Sequence, residues 1–234
     1  PNAFDDCPRF QSVAETLGQI PVASAILGAV AGLPAARAAA SHFVVALRSS
    51  QLLIAGPKIV ERAMGIQVDK QTLGDILIHY ANGTVHRLVD TEEEALAELR
   101  RFLGYLPTNV GELAPRGPAE DPPGRREGRL DRVVPNDRRK GFDMRAVLGW
   151  IFDEGSVFEI RAAFGPALIT ALARLDGYPV AVFANDPAVL GGSMDAAAAQ
   201  KVQKFIEFAA TFHLPVVTLV DEPGFWIGPQ AERE

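Results

Sequence analysis

Apolar residues along this chain fall into two spacings. Short aliphatic and β-branched runs alternate with longer stretches in which apolar residues recur every three to four positions. That alternation predicts strands interleaved with helices. "IPVASAILGAVAG", Ile20 to Gly32, is a predicted strand followed by a glycine-punctuated loop. "LPAARAAASHF" comes next, rich in alanine with Pro34 near its start. Proline suits the first helical turn, where its missing N–H has no partner, so a helix is predicted from about Leu33. "SHFVVAL" is the next strand, and "QLLIAGPKIVERAMG" gives a short strand, a Gly56-Pro57 break and a helix ending near Gly65.

"VDTEEEALAELRRFLGYLP" is the clearest helix. Thr91 and Glu94 have capping-box spacing, acids crowd the first turn and Gly104 lies near the end. Its apolar stripe is Ala95, Leu96, Leu99 and Phe102/Leu103. After the linker region Asp143 is placed to cap a helix carrying Val147, Leu148, Ile151 and Phe152. "ALITALARLDGYPVAVFAND" predicts two strands joined at Asp176-Gly177, a hairpin signal. "SMDAAAAQKVQKFIEFAATFH" predicts a helix with Val202, Phe205, Ile206, Ala209 and Phe212 on one face, and "PVVTLV" a strand after it. Strand, helix, strand on this spacing is a βαβ pattern, and it occurs twice. The two occurrences echo each other: both run Pro-Val-Ala, a strand, a glycine loop and an alanine-rich helix.

Between them the pattern fails. "APRGPAEDPPGRREGRLDR" holds four prolines and three glycines among charges of both signs, with little to bury. Residues 108–141 are therefore expected to be a linker or extended surface segment, dividing residues 1–107 from residues 142–234. Its arginine pairs are expected to be solvated.

Composition narrows the function. The chain has 234 residues, 48% of them hydrophobic, and a net charge of −6. Nothing in that balance calls for nucleic acid or an anionic membrane as partner. The long apolar stretch from Pro21 to Leu47 is interrupted by Gly28, Gly32, Pro34, Arg37 and His42, so no transmembrane helix is expected. One cysteine, Cys7, fits a reducing compartment, and no signal peptide is expected. Walker-type and nucleophile-elbow motifs are absent, and the histidines at 42, 79, 86 and 213 lack metal-ligand spacing, so they are expected to be structural and no metal site is expected.

What remains is backbone chemistry. "GAVAGLP" leads from a strand into a helix N-terminus, where unpaired amides and the positive end of the helix dipole point outward. Two such N–H groups can stabilise a thioester oxygen as it becomes an enolate. A glycine-rich turn with no chemistry has the same sequence. Likewise the "DEPGFWIG" corner after the last strand suits either a surface turn or a ligand wall.

Longer patterns are more specific. "LGDILIHYANGTVHRLVDTEEEALAELRRFLGYLPTN", "VVPNDRRKGFDMRAVL" and "GGSMDAAAAQKVQKFIEFAATFHLPVVTLVDEPGFWIG", in this order, resemble the carboxyltransferase (beta) subunits of biotin-dependent acyl-CoA carboxylases of the propionyl-CoA and acetyl-CoA type. The resemblance runs from about Ile20 onward. It implies an α/β fold of the ClpP/crotonase kind, a spiral of ββα repeats. Residues 1–107 would be the C-terminal part of an N-domain and residues 142–234 the start of a C-domain, making this a partial chain. It implies carboxyl transfer from carboxybiotin to the α-carbon of an acyl-CoA; an acyl-CoA decarboxylase running the chemistry backwards and a non-catalytic fragment are the alternatives. Gly32 and Leu33 map onto the oxyanion hole, with Gly28, Ala29, Val30 and Ala31 lining the approach. Gly224 would permit close backbone approach and Phe225 would wall the pocket. Biotin would be carried on a partner domain or subunit and would itself accept the proton. The partners implied are acyl-CoA, a biotin carboxylase or biotin carrier subunit, and further copies of the chain in a homo-oligomer with its site at a subunit interface. The compartment implied is cytoplasmic, or the mitochondrial matrix in a eukaryote. This chain departs from the family in having Gly32-Leu33 and Gly74-Asp75 where Gly-Gly is usual.

Overall fold

The computed structural model describes residues 8–119, 121–122, 124–137, 140–229 and 231–233. It divides into two compact units, Pro1–Leu113 and Ala114–Glu234.

In the first unit, α1 (Pro8–Leu17) precedes β1 (Ala23–Ile26), β2 (Ala29–Ala31), α2 (Leu33–Ala40), β3 (Phe43–Leu47) and β4 (Gln51–Leu53). Then come α3 (Pro57–Met64), α4 (Lys70–Gly74), α5 (Ile76–Ala81), β5 (Arg87–Val89) and α6 (Glu92–Leu103). β1, β3 and β5 form a parallel sheet with β3 central, while β2 and β4 form a separate parallel pair. β3 is buried at every position, as its continuous apolar run requires. Its Phe43 ring stacks on Phe102 of α6 at 4.7 Å. Ile26, Ala35, Ala38, Val44, Leu52 and Ile76 form the adjoining core.

Residues 29–31 differ from the sequence expectation. They form a strand, not a loop, because β4 offers a parallel edge: Gln51 N donates to Gly28 O, and Gly32 N donates to Leu53 O. No local apolar period could announce a three-residue strand. The α6 capping box is present on both sides, with Glu94 N donating to Thr91 Oγ1 at 3.2 Å and Thr91 N to Glu94 Oε2 at 3.3 Å. Leu96 and Leu103 of its predicted stripe are exposed.

In the second unit, α7 (Met144–Ile151) leads into β6 (Phe158–Ile160), β7 (Leu168–Leu175) and β8 (Tyr178–Asn185), then α8 (Ala196–Thr211) and β9 (Val216–Leu219). The sheet runs β6-β7-β8-β9, antiparallel except for the β8–β9 pair. Asp176 and Gly177 both take positive φ, 51° and 77°, the two-residue turn their sequence predicts. α7 and α8 are capped by Asp143 and Asp195. Ile206, expected on the buried face of α8, is 40% exposed, while Val202, Phe205, Ala209 and Phe212 are buried.

Within residues 114–137 the chain is fastened to this second unit. Arg116 pairs with Asp176, Gly117 N donates to Gly177 O at 2.9 Å, and Arg125 donates to Phe152 O at 2.8 Å. Leu130 and Val133 pack against the core of Val147, Leu148, Phe152 and Ile169. A single 3₁₀ turn, Gly128–Arg132, is the regular structure in the described part of this segment.

Candidate functional site

Gly32 is the residue on which the first site turns. Its φ of 69° and ψ of −136° lie where a Cβ is not tolerated, and that conformation turns β2 sharply into α2. Its N–H is committed to Leu53 O at 3.1 Å, closing the β2–β4 ladder, and its carbonyl accepts from Ala36 N at 3.0 Å. Of the two amides expected as an oxyanion hole, Gly32's is therefore engaged within the fold. Leu33 stands at the first helical position, Pro34 has no N–H, and among the described residues no backbone acceptor faces the amides of Leu33 and Ala35. These two carry the positive end of α2. The Leu33 side chain is 52% exposed.

Beside them lies a cavity of about 590 Å³. It is lined by Gly32 and Leu33, by Ala35, Ala36 and Ala39 of α2, by Leu52, Leu53 and Ile54, and by the polar His79, Asn82 and Thr84. Gly28, Ala29, Val30 and Ala31 are not among its lining residues. Sequence reasoning missed the β4 and α5 contributions, since nothing in the pattern shows that β4 pairs with β2. His79 is the one titratable side chain in the lining, and its Nε2 is 2.7 Å from Leu52 O, so it serves the fold. His42 and His86 serve it too: their Nδ1 atoms accept from Val22 N and Val44 N. Burial lowers the pKa of His42 below its ordinary value.

The departure at Asp75 has a local cause. Its carboxylate accepts from Leu77 N at 2.9 Å and caps α5. Gly74 must stay glycine, because a Cβ there would meet Leu53 Cδ2 at 2.3 Å and Leu52 O at 2.6 Å.

The second candidate lies in the other unit. Gly224 has φ 127°, and its carbonyl accepts from Met194 N at 3.0 Å, while Trp226 N donates to Met194 O at 2.9 Å. These bonds pin the corner after β9 to the loop before α8. Buried Asn185 fastens the same two segments, donating to Gly192 O and accepting from Asp221 N. Lys140, Pro187, Gly191, Asp221 and Glu222 line a cavity of about 430 Å³ there. Gly224 has no protein atom within 4 Å of where a Cβ would stand, so within the fold its need for glycine is the positive φ. Phe225 is 77% exposed and lines none of the cavities described here. The described residues contain no group of three or more His, Cys, Asp or Glu able to hold a metal ion, and no described helix is long and apolar enough to cross a membrane.

The family described as carboxyl transferase domain matches residues 8–234. The propionyl-CoA carboxylase carboxyltransferase subunit of Haloferax mediterranei is 36% identical over 226 residues, covering 96% of this chain and 44% of the relative. The methylmalonyl-CoA decarboxylase subunit alpha of Veillonella parvula is 33% identical, covering 92% and 43%. Among solved structures, a transcarboxylase 12S hexamer with hydrolysed methylmalonyl-coenzyme A bound superposes with a TM-score of 0.89 at 31% identity, covering 96% of this chain and 44% of that one. A single-chain, multi-domain long-chain acyl-CoA carboxylase superposes with a TM-score of 0.85 at 30% identity, covering 100% and 24%. The chain spans less than half the length of these relatives. The fold is the crotonase-like α/β fold of these carboxyltransferases.

Proposed function

Because the chain belongs to the carboxyl transferase domain family of enzymes, we propose that it takes part in moving a carboxyl group from carboxybiotin to the α-carbon of an acyl-CoA, of the propionyl-CoA or acetyl-CoA class. The observation that carries this reading is the Leu33 amide at the head of α2, held at a cavity mouth by the Gly32 turn. Removing the α-proton of a thioester puts negative charge on its carbonyl oxygen. An amide donor about 2.7–3.1 Å from that oxygen, fixed before the reaction, stabilises the enolate without reorganisation. Leu33 N–H is the donor in this proposal, with Ala35 N–H as its companion; Gly32 sets their direction. Gly28 to Ala31 act through the β2–β4 ladder that holds Gly32 in place. Gly224 and Phe225 remain in the proposal as a substrate wall, Phe225 being exposed and available to a ligand or a second copy.

Carboxybiotin, carried on a partner domain or subunit, supplies the carboxyl group. The cavity residues fit a reaction in which no side chain of this unit moves the proton, since His79 is engaged by Leu52 O. The hexamer assembly of the 12S relative supports an oligomer, and in this reading the oligomer is of copies of the chain, with the site completed at a subunit interface. Relatives named for carboxylation and for decarboxylation match almost equally well, at 36% and 33% identity. Decarboxylation of the carboxylated acyl-CoA is therefore the second reading, and the assay is run in both directions.

The test is a pair of substitutions at one residue. Leu33→Pro deletes the amide donor at a position where proline is tolerated. Leu33→Gly keeps the donor and removes only the side chain. With carboxybiotin and acyl-CoA in one direction, and free biotin as acceptor from a carboxylated acyl-CoA in the other, Leu33→Pro is expected to lose about 10²-fold or more in turnover at an unchanged melting temperature, and Leu33→Gly to retain turnover. A folded Leu33→Pro protein with normal turnover removes the oxyanion assignment.

A further inference from the structure

We infer that His79 is a positioning residue for the reaction: its ring holds the outer edge of β4 and thereby fixes the direction of the Leu33 amide. The inference rests on the proposed reading of that amide as the thioester's donor. Among the described residues β4 has a strand, β2, on one edge and none on the other. Successive carbonyls of a strand point to opposite edges. Leu53 O lies on the β2 side and accepts from Gly32 N at 3.1 Å. Leu52 O, one residue earlier, therefore faces the strandless edge, and Leu52 is buried, so this oxygen needs a partner from the fold. His79 Nε2 stands 2.7 Å from it. A carbonyl can only accept, so the ring donates. Gly74 leaves the same oxygen uncrowded, since a Cβ there would stand 2.6 Å from it. The ring is itself anchored. His79 lies on α5, whose Ile76 is buried in the core with Ile26 and Val44, whose first turn is capped by Asp75, and whose His79 carbonyl accepts from Val85 N at 2.9 Å. Bonds thus run from the core through α5 to Leu52 O, along β4 to Leu53 O, and across to Gly32 N, one residue before the Leu33 amide. A two-stranded sheet is marginal by itself, and the His79 bond secures its open edge. The precision matters, because a site must be held to about 0.5 Å and a misplacement of about 1 Å costs about 10²-fold in rate.

Amide hydrogen exchange on the full chain tests the clamp without requiring turnover. In His79→Leu, which keeps bulk but loses the donor, Gly32 N–H is expected to lose about tenfold or more in protection, while the β3 amides of Val45 and Ala46 stay within about twofold. His79→Gln puts an amide N–H near the place of Nε2 and should bring Gly32 back to within about threefold of the unmodified protein. Gly74→Ala, which crowds Leu52 O without touching His79, should lower Gly32 protection as His79→Leu does. Turnover, assayed in both directions, should fall about tenfold or more in His79→Leu at a KM within about twofold, and recover in His79→Gln. In a Leu33→Pro background His79→Leu should cost less than about twofold more, because the donor it aims is already gone, whereas a histidine that only stabilises the fold would slow both backgrounds alike. Full Gly32 protection in His79→Leu or Gly74→Ala, a His79→Gln protein that behaves like His79→Leu, equal losses at Gly32 and in β3, or additive losses with Leu33→Pro each overturns the inference. Its failure is distinct from that of the proposed function. Normal turnover in His79→Leu beside a crippled Leu33→Pro keeps the donor and removes the positioning role. Normal turnover in Leu33→Pro, or none in the unmodified protein, counts against the carboxyltransferase reading, and Gly32 exchange then decides the His79 clamp by itself.

Discussion

Gly32 concentrates three demands on one residue: a positive φ, an N–H bonded to Leu53 O, and a carbonyl that starts α2. Only the first needs glycine. Space is not the constraint, since nothing lies within 4 Å of where a Cβ would stand. Gly32→Ala should therefore destabilise the protein by about 1–3 kcal/mol, the usual cost of holding an L-residue in such a backbone region. Chemical denaturation measures it. A neutral result would mean that the turn has a second, unstrained conformation and does not aim the Leu33 amide rigidly. Leu33 is the opposite case: only its backbone is asked for, so side-chain changes there should be tolerated.

Among elements, the β7–β8 hairpin is the most strongly specified, and it does more than join two strands. Gly177 has φ 77°, and a Cβ on it would stand 2.5 Å from Gly117 O. The same turn receives Gly117 N and the Arg116–Asp176 ion pair, and Arg174 donates to Gly177 O at 2.7 Å. The turn residues thus hold the proline- and glycine-rich segment against the second unit. Gly177→Ala is expected to release that segment while leaving most of the sheet intact. Limited trypsinolysis should then cut after Arg116 faster than in the unmodified protein. An unchanged cleavage pattern would show that residues 115–117 are held by contacts other than this turn.

At the scale of the whole molecule, a half-buried histidine in the first unit and a buried lysine in the second each contribute to the pH profile. In the first unit, burial lowers the pKa of His42 below the ordinary 6.5, and its Nδ1 accepts from Val22 N. The unfolded chain takes up that proton first, so the stabilising contribution is complete above 6.5 and is lost as pH falls through the lower folded value. In the second unit, Lys201 is 1% exposed, donates to Leu168 O at 2.6 Å, and has its pKa lowered from 10.5 to about 8, chiefly by burial. Between pH 8 and 10.5 the unfolded chain holds the extra proton, so stability rises with pH across that window. Thermal melts should show both limbs, and Lys201→Met should flatten the alkaline one relative to the unmodified protein. If both proteins respond alike above pH 8, Lys201 does not titrate in the fold.

The sequence by itself determined the elements whose signals are local. Asp143 caps the helix it was expected to cap, Thr91 and Glu94 form their box, and Asp176-Gly177 makes the hairpin. These depend on side chains reaching backbone groups two to four residues away, which a chain carries wherever it goes. The order of longer motifs likewise carried the family. The tertiary structure alone decided what depends on distant partners. Ala29–Ala31 became a strand only because β4 pairs with it, and that pairing engages the Gly32 amide with Leu53 O. The cavity joins residues of α2, β4 and α5 that no period links. Ile206 shows the same limit from the other side: it sits on the apolar stripe of α8, yet no element covers it within the described residues. Local bonding is written into neighbouring residues, whereas pairing, burial and empty space exist only once segments far apart in the chain have met.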